Sequence, residues 1–207
     1  MNKVIVLGAS GHARSVVDII MQNNEYEVYG LIADEREKGF WGIEVIAQDS
    51  DLERLYNQGI QYAFVAIGNN AIRKKLTERL KSIGYKMINV ISKHAIISPY
   101  SKLANGIVIM PGAVINAGVQ IEEGCIINTN TSIDHDDIVG AYSHIAPGCA
   151  ISGFTKIGSE CFLGTGTSVI DSITIEDRVT VGAGSVVIRN IEKGLKVAGV
   201  PAHHHII

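Results

Sequence analysis

From Ile97 onward an aliphatic residue recurs every six positions, through Leu103, Ile109, Ile115 and on to Val187, sixteen places without a miss. An apolar helical face recurs every three or four residues, so no helix has this period. A hexapeptide repeat predicts a parallel β-helix: each unit is a short strand plus a bend, and three units close one triangular coil. Four residues after the aliphatic position lies a second inward slot, filled among others by Ala113, Cys125, Thr131, Ser143, Cys149, Thr155, Cys161, Thr167 and Ser185. These residues are small or β-branched, as a narrow corner requires. The stretch Ile97 to Glu192 holds about five coils, enough for a continuous core, since no coil is stable alone.

The residues before the repeat alternate apolar runs with helical patterns. Lys3 to Leu7 (KVIVL) predicts a buried strand, and Arg14 to Met21 a helix with Val16, Val17, Ile19 and Ile20 on its apolar face. Further strands are expected at Glu27 to Ala33, Tyr62 to Ile67 and Met87 to Ile91, and helices at Asp51 to Asn57 and Ala71 to Ile83, the latter stopped by Gly84. Strands alternating with helices mean a small parallel, Rossmann-like α/β sheet. The division expected is 1–92 for that domain and 93–207 for the β-helix with its tail.

Ligands of such sheets bind at the carboxyl ends of the strands. Two glycine turns fall there: Gly8-Ala9-Ser10-Gly11-His12-Ala13 after the first strand and Gly68-Asn69-Asn70 after the third. The first exposes backbone N–H groups at a helix start, where an anion is favoured, although it is not a full GxGxxG. Asp34, after the second strand, is read as a contact to a ribose hydroxyl or as a solvated strand end. Arg73 is read as an ordinary surface residue or as a phosphate contact.

Composition narrows the classes. The net charge of −3 provides no basic field for nucleic acid. No signal peptide or membrane-length apolar run is present, so a soluble, cytoplasmic protein is expected. The three cysteines lack CxxC spacing and fall on inward slots, so they read as small buried hydrophobes, with no metal site.

The repeat changes character at Asn128 to Asp137 (NTNTSIDHDD), where Asp134, His135, Asp136 and Asp137 stand in succession and His144 follows half a coil later. Asp137 occupies an inward slot, where a carboxylate is costly unless paired. His135 beside an acid has the make-up of a general base, because a carboxylate fixes the imidazole tautomer and raises its basicity.

The six-residue repeat, NTNTSIDHDD, HIAPGCAISG, the closing AGVPA and GASGHA at the front together resemble the hexapeptide sugar acetyltransferases, in the branch of bacillosamine N-acetyltransferase and sialic-acid O-acetyltransferase. The resemblance spans essentially the whole chain. It implies a left-handed β-helix, a homotrimer with sites between neighbouring β-helices, acetyl-CoA as co-substrate and a nucleotide-sugar held by the first domain. It implies His135 as catalytic base supported by Asp136, His144 as a second site histidine near the thioester, and the Gly153 N–H as donor to the acetyl carbonyl. Substrate contacts are expected from Gly8, Ser10, Gly11, His12, Asp34, Gly68, Asn69 and Asn128, and the CoA groove from His144, Gly153, Gly164, Gly182, Ala183 and Pro201. The activity implied is acetyl transfer to the amine of a UDP- or dTDP-linked 4-amino-4,6-dideoxy sugar, in polysaccharide biosynthesis. Alternatives are sialic-acid O-acetylation by the same site, a non-catalytic nucleotide-sugar scaffold, and a dinucleotide oxidoreductase, which the imperfect glycine pattern disfavours. The chain departs from the family at Asp137, where a small residue is common. It departs again after Pro201, where Ala202-His203-His204-His205-Ile206-Ile207 replaces a basic ending.

Overall fold

The computed structural model describes residues 1–34 and 36–204. It divides into two compact units, Met1–Val90 and the chain from Ile91 onward. The last three residues, His205, Ile206 and Ile207 of the histidine-bearing tail, lie outside the described residues.

The first unit is a five-stranded parallel sheet with helices. Its elements are β1 (Asn2–Leu7), α1 (Gly11–Asn23), β2 (Tyr26–Ile32), β3 (Val45–Ala47), α2 (Leu52–Asn57), β4 (Tyr62–Val65), α3 (Asn70–Ile83) and β5 (Lys86–Met87). The strand order is β3-β2-β1-β4-β5. Central β1 is buried on both faces from Val4 to Leu7, which is why KVIVL reads as continuous rather than alternating. The chain runs outward from β1 through β2 to β3 and returns to the other side of β1 with β4, so the order reverses between β1 and β4. Such a switch point opens a crevice at the strands' carboxyl ends. Gly84 closes α3 in the left-handed conformation at φ 114°.

Three details differ from expectation. Helix α1 begins at Gly11, directly from the glycine turn. The short half-buried edge strand β3 has no alternation to announce it. The run expected as one strand from Met87 to Ile91 is two: Lys86–Met87 joins the sheet, and Val90–Ile91 is the first strand of the β-helix series. A continuous apolar run carries no mark of where the hydrogen-bonding partner changes.

In the second unit, two-residue strands up to Val187 stack in parallel into three sheets whose partners lie eighteen residues apart, as in Ile115↔Ile133, Ile121↔Val139 and Ile127↔Ile145, and one sheet closes with Lys196–Ala198 and its antiparallel partner His203–His204. From Ile109 to Val187 every sixth-position aliphatic is buried, whereas Ile97 and Leu103, in the first coil, are half-buried. The bends use a left-handed residue three places after the aliphatic. Glycine fills this place at 106, 112, 118, 124, 148, 166 and 184, while Asn130, Asp136, Tyr142, Phe154, Glu160, Ser172 and Arg178 are also left-handed, with φ between 56° and 61°. A bulky side chain is disfavoured there, so the corner at Phe154 is kept against a local cost.

Candidate active site

In the first unit a cavity of about 310 Å³ lies at the switch point, lined by Leu7, Gly8, Ser10, Asp34, Asp49 and Ile67 among others. It gathers three of the expected substrate residues, Gly8, Ser10 and Asp34. Gly8 is required sterically: at φ 116° a Cβ would come 2.8 Å from the Ala66 carbonyl oxygen. Gly11 and Gly68 face open space, where a Cβ would meet nothing within 4 Å. Asp34 is exposed and held by Arg36, whose Nε and Nη2 donate to the two carboxylate oxygens at 2.9 and 3.1 Å, which draws its carboxyl below the usual range. The Asn69 amide oxygen caps α3 by accepting from the Ile72 N–H at 3.0 Å.

Arg73 is neither surface residue nor free phosphate ligand. It is 1 % exposed. Its Nη1 donates to the carbonyls of Ile67 and Gly68 at 3.0 Å each, and Nη2 to Asn70 Oδ1 at 2.9 Å, so the guanidinium ties down the β4–α3 turn. Burial first, and the Arg73 charge second, push the His12 imidazole down to about 4, so at neutral pH His12 carries no charge.

In the β-helix unit, His135 and Asp136 occupy one bend. His135 Nδ1 lies 3.1 Å from Asp136 Oδ2, with both side chains about half exposed. That carboxylate assigns the ring proton to Nδ1 and leaves Nε2 as the ring's acceptor. The bend is braced by Asp134, whose Oδ1 accepts from the His135 N–H at 2.8 Å and from Asn116 Nδ2 at 2.8 Å. These bonds, that from Asn116 foremost, lower the Asp134 carboxyl below its ordinary value. Gly153, one coil on, is buried beneath the imidazole: a Cβ there would lie 2.7 Å from His135 Cε1. Among the described residues no acceptor takes the Gly153 N–H, whereas the equivalent N–H groups of Thr129, His135, Ala141 and Ser159 are taken by carboxylate or amide oxygens.

His144 lies on the adjoining face, with Asn128 Nδ2 3.2 Å from its Nε2. An amide nitrogen only donates, so His144 Nε2 is the acceptor and its proton sits on Nδ1. Asn128 begins a column that continues at eighteen-residue steps through Ala146, Gly164 and Gly182. A Cβ on Gly164 would lie 2.6 Å from the Ala183 nitrogen, and one on Gly182 2.8 Å from Ala198 Cβ, so the two glycine places of the column have no room for a side chain. Ala183 and Pro201 are exposed.

Two aromatic residues escape a reading of the sequence. Phe154 stands edge-to-face on His135, with ring centres 5.0 Å apart, and Phe162 does the same to His144 at 5.2 Å. The usable signal was a Phe at a left-handed corner, a place that otherwise favours glycine. Cys125, Cys149 and Cys161 are buried, and their thiols donate to coil carbonyls. Burial pushes the Cys161 thiol up to about 11. Among the described residues no cluster of three His, Cys, Asp or Glu could hold a metal ion, and no helix is long and apolar enough to cross a membrane.

Comparison with known proteins agrees with this fold. Residues 3–80 match the PglD N-terminal domain, and residues 154–189 match the bacterial transferase hexapeptide family. A histidine-to-asparagine variant of perosamine N-acetyltransferase from Caulobacter crescentus, solved with CoA and GDP-perosamine, is 34 % identical with a TM-score of 0.97, over 100 % of this chain and 98 % of that one. The acetyltransferase domain of PglB from Neisseria gonorrhoeae FA1090 is 35 % identical with a TM-score of 0.95, over 99 % of this chain and 100 % of that one. The UDP-N-acetylbacillosamine N-acetyltransferase of Bacillus subtilis (strain 168) is 34 % identical over 115 residues, 53 % of this chain and 52 % of that enzyme. The chain spans 20 % and 52 % of the length of the first two curated relatives it matches. With a PglD-type sheet domain, a hexapeptide β-helix and full-length likeness to the perosamine enzyme, the chain belongs to the hexapeptide-repeat sugar acetyltransferases, in the branch of the bacillosamine and perosamine N-acetyltransferases.

Proposed function

We propose that this protein transfers the acetyl group of acetyl-CoA to the amino group of a nucleotide-linked amino sugar, of the 4-amino-4,6-dideoxy class, with His135 as general base. The observation that carries the reading is the His135 bend: an imidazole oriented by Asp136, with Nε2 as its acceptor, over the unbonded N–H of Gly153. In the step proposed, the sugar amine attacks the thioester carbonyl carbon and His135 Nε2 takes the amine proton. The developing oxyanion accepts from Gly153 N–H. Collapse breaks the carbon–sulfur bond, and the proton on His135 passes to the departing CoA sulfur. No acyl-enzyme is invoked, because the thiols are buried, Cys161 is pushed toward about 11, and none lies in the His135 bend. His144 and Asn128 head the groove assigned to CoA, with Gly164, Gly182, Ala183 and Pro201 farther along. The cavity with Gly8, Ser10 and Asp34 is assigned to the nucleotide, together with Gly11, His12, Gly68 and Asn69 of the same turns.

The protein is proposed to work as a homotrimer. One β-helix face supports this, since its outward strand positions Ile96, Val114, Ser132, Ala150, Ser168 and Val186 carry no charge, and Ile96 is 68 % exposed. The second face presents Lys102, Gln120 and Lys156. Light scattering should return three times the 22.2 kDa chain mass.

The direct test is thiol release from acetyl-CoA with UDP-, dTDP- and GDP-linked 4-amino-4,6-dideoxy sugars and with sialic acid, for wild type and His135→Ala. Release with one amino sugar, abolished in the variant, is the outcome expected, and it names the nucleotide. Release with sialic acid alone would overturn the amine assignment.

A further inference from the structure

Asp137 is the one carboxyl group buried in the β-helix core among the described residues. It is 1 % exposed, in a slot whose neighbours one coil below and above are Val119 and Thr155. The slots from 125 to 167 form an unbroken series of eight polar residues at six-residue steps, and five obey one rule. Cys125, Thr131, Ser143, Cys149 and Cys161 each donate to the carbonyl fifteen residues on, at 2.7 to 3.3 Å, whereas Thr155 and Thr167 give their one hydroxyl proton to the carbonyl three residues back at 2.7 Å and lie 3.3 and 3.4 Å from the one fifteen on. Each bond ties one coil to the next. Asp137 is the eighth, and an ionised carboxylate cannot follow the rule because it has no proton to give.

The other half of its bonding does follow the pattern. Asp137 Oδ1 accepts from the Thr155 N–H at 2.8 Å, as Ser143 Oγ accepts from the Cys161 N–H at 2.9 Å. Ser143 then donates to the Gly158 carbonyl at 2.7 Å. The corresponding oxygen of Asp137, Oδ2, is buried and finds no donor among the described residues. The carbonyl at the matching place is that of Ser152, which already accepts from Thr155 Oγ1 at 2.7 Å. A second donor is no obstacle: the Gly164 carbonyl accepts from both Thr167 Oγ1 and Cys149 Sγ.

We propose that Asp137 is held as a neutral carboxylic acid whose Oδ2–H donates to the Ser152 carbonyl, making it a positioning residue for the Ser152–Gly153 peptide. That peptide carries the N–H assigned to the acetyl oxyanion, and its glycine lies under His135. A hydrogen bond to the carbonyl end of a peptide polarises its N–H end, so the same bond fixes the donor and strengthens it. Burial pushes the Asp137 carboxyl up to about 7, helped by the Asp134 charge and opposed by His135. Those two, on its own turn, are the charged groups acting on it. Val119 below and Thr155 and Ile173 above are not titratable, and among the described residues the prism buries no other charged side chain.

The test has two arms. In infrared difference spectra of the full-length protein at pH 6, wild type should show a buried, protonated carboxyl band that disappears in Asp137→Asn. In the acetyl-transfer assay, Asp137→Val, which copies the residue one coil below but can neither donate nor accept, should lower kcat at least about tenfold with KM for both substrates within about twofold. Asp137→Asn, which keeps one acceptor and one donor, should restore kcat to within about threefold, and it should lack the alkaline limb that loss of the Asp137 proton gives the wild type. An ionised Asp137 at pH 6, or an Asp137→Val enzyme with undiminished kcat, would overturn the proposal. The kinetic arm rests on the acetyltransferase reading and the infrared arm does not, so an inactive wild type with the band present would sink that reading and leave Asp137 neutral.

Discussion

The two units place their chemistry by opposite means. In the sheet unit the candidate residues stand where strands end, and topology gathers them: Gly8 after β1, Asp34 after β2 and Ile67 after β4 are far apart in sequence and line one cavity at the switch point. In the β-helix the backbone is nearly the same at every bend, so topology singles out no bend. A site arises there only by substitution into the repeat, as at His135, Asp136 and Asp137. An α/β sheet therefore supplies a crevice before any particular side chain is chosen, whereas a β-helix supplies a regular lattice that side chains must mark.

The largest test of that contrast concerns the lattice. Ile145 is fully buried, and its strand pairs with those at Ile126–Ile127 and Phe162–Leu163. Ile145→Ala removes three carbons from a wall that cannot collapse without breaking register, so a loss of about 2–5 kcal/mol is expected in urea unfolding. A loss below about 1 kcal/mol would mean the coils tolerate cavities and are not a lattice in this sense. Next in size, His135→Ala should cost at least about 10²-fold in kcat while KM for the nucleotide-sugar stays within about threefold. A rise confined to KM would place recognition, not chemistry, at the marked bend.

The repeat was legible in the sequence because every inward place has the same requirement, so sixteen residues report one structure. β3 was not, since three half-buried residues at a sheet edge follow from pairing with Leu31 and Ile32 rather than from their own pattern. His135 and Asp136 were readable because they are neighbours. Arg73 was misread because its burial depends on two carbonyls and an amide oxygen that the β4–α3 turn brings to one point. Asp137 was seen as a buried carboxylate in need of a partner, but that partner is the Thr155 N–H, eighteen residues on and invisible locally.

The units should also answer protons in opposite directions. The Asp137 carboxyl is raised from 3.8 to about 7, so the native state holds a proton that the unfolded chain releases. This contribution is full below about pH 4 and is lost as pH rises through about 7. His12 is lowered from 6.5 to about 4, so its contribution is full above about pH 6.5 and is lost as pH falls through about 4. Each is on the order of 1–3 kcal/mol, given about 1.4 kcal/mol per unit and incomplete shielding from water. Between about pH 4 and 6.5 the two slopes oppose each other, so stability measured by denaturant should rise with pH in Asp137→Asn, where only the His12 slope is left, and fall with pH in His12→Gln, where only the Asp137 slope is left. Profiles unchanged in both variants would mean neither proton is linked to folding.

The smallest expected effect separates binding from chemistry. Asp34 is exposed and lines the cavity, and its carboxylate is paired with Arg36. If that carboxylate meets a ribose hydroxyl, Asp34→Ala removes one charge-assisted hydrogen bond made equally to the bound substrate and to the transition state. Uniform binding of that kind appears in KM and leaves kcat alone. An increase of about tenfold or less in KM for the nucleotide-sugar is expected, with kcat and KM for acetyl-CoA unchanged. Asp34→Asn should recover part of it, because the amide oxygen still accepts. A fall in kcat would show that the crevice at the strand ends takes part in the reaction itself, and the division of labour between the two units would fail at its simplest point.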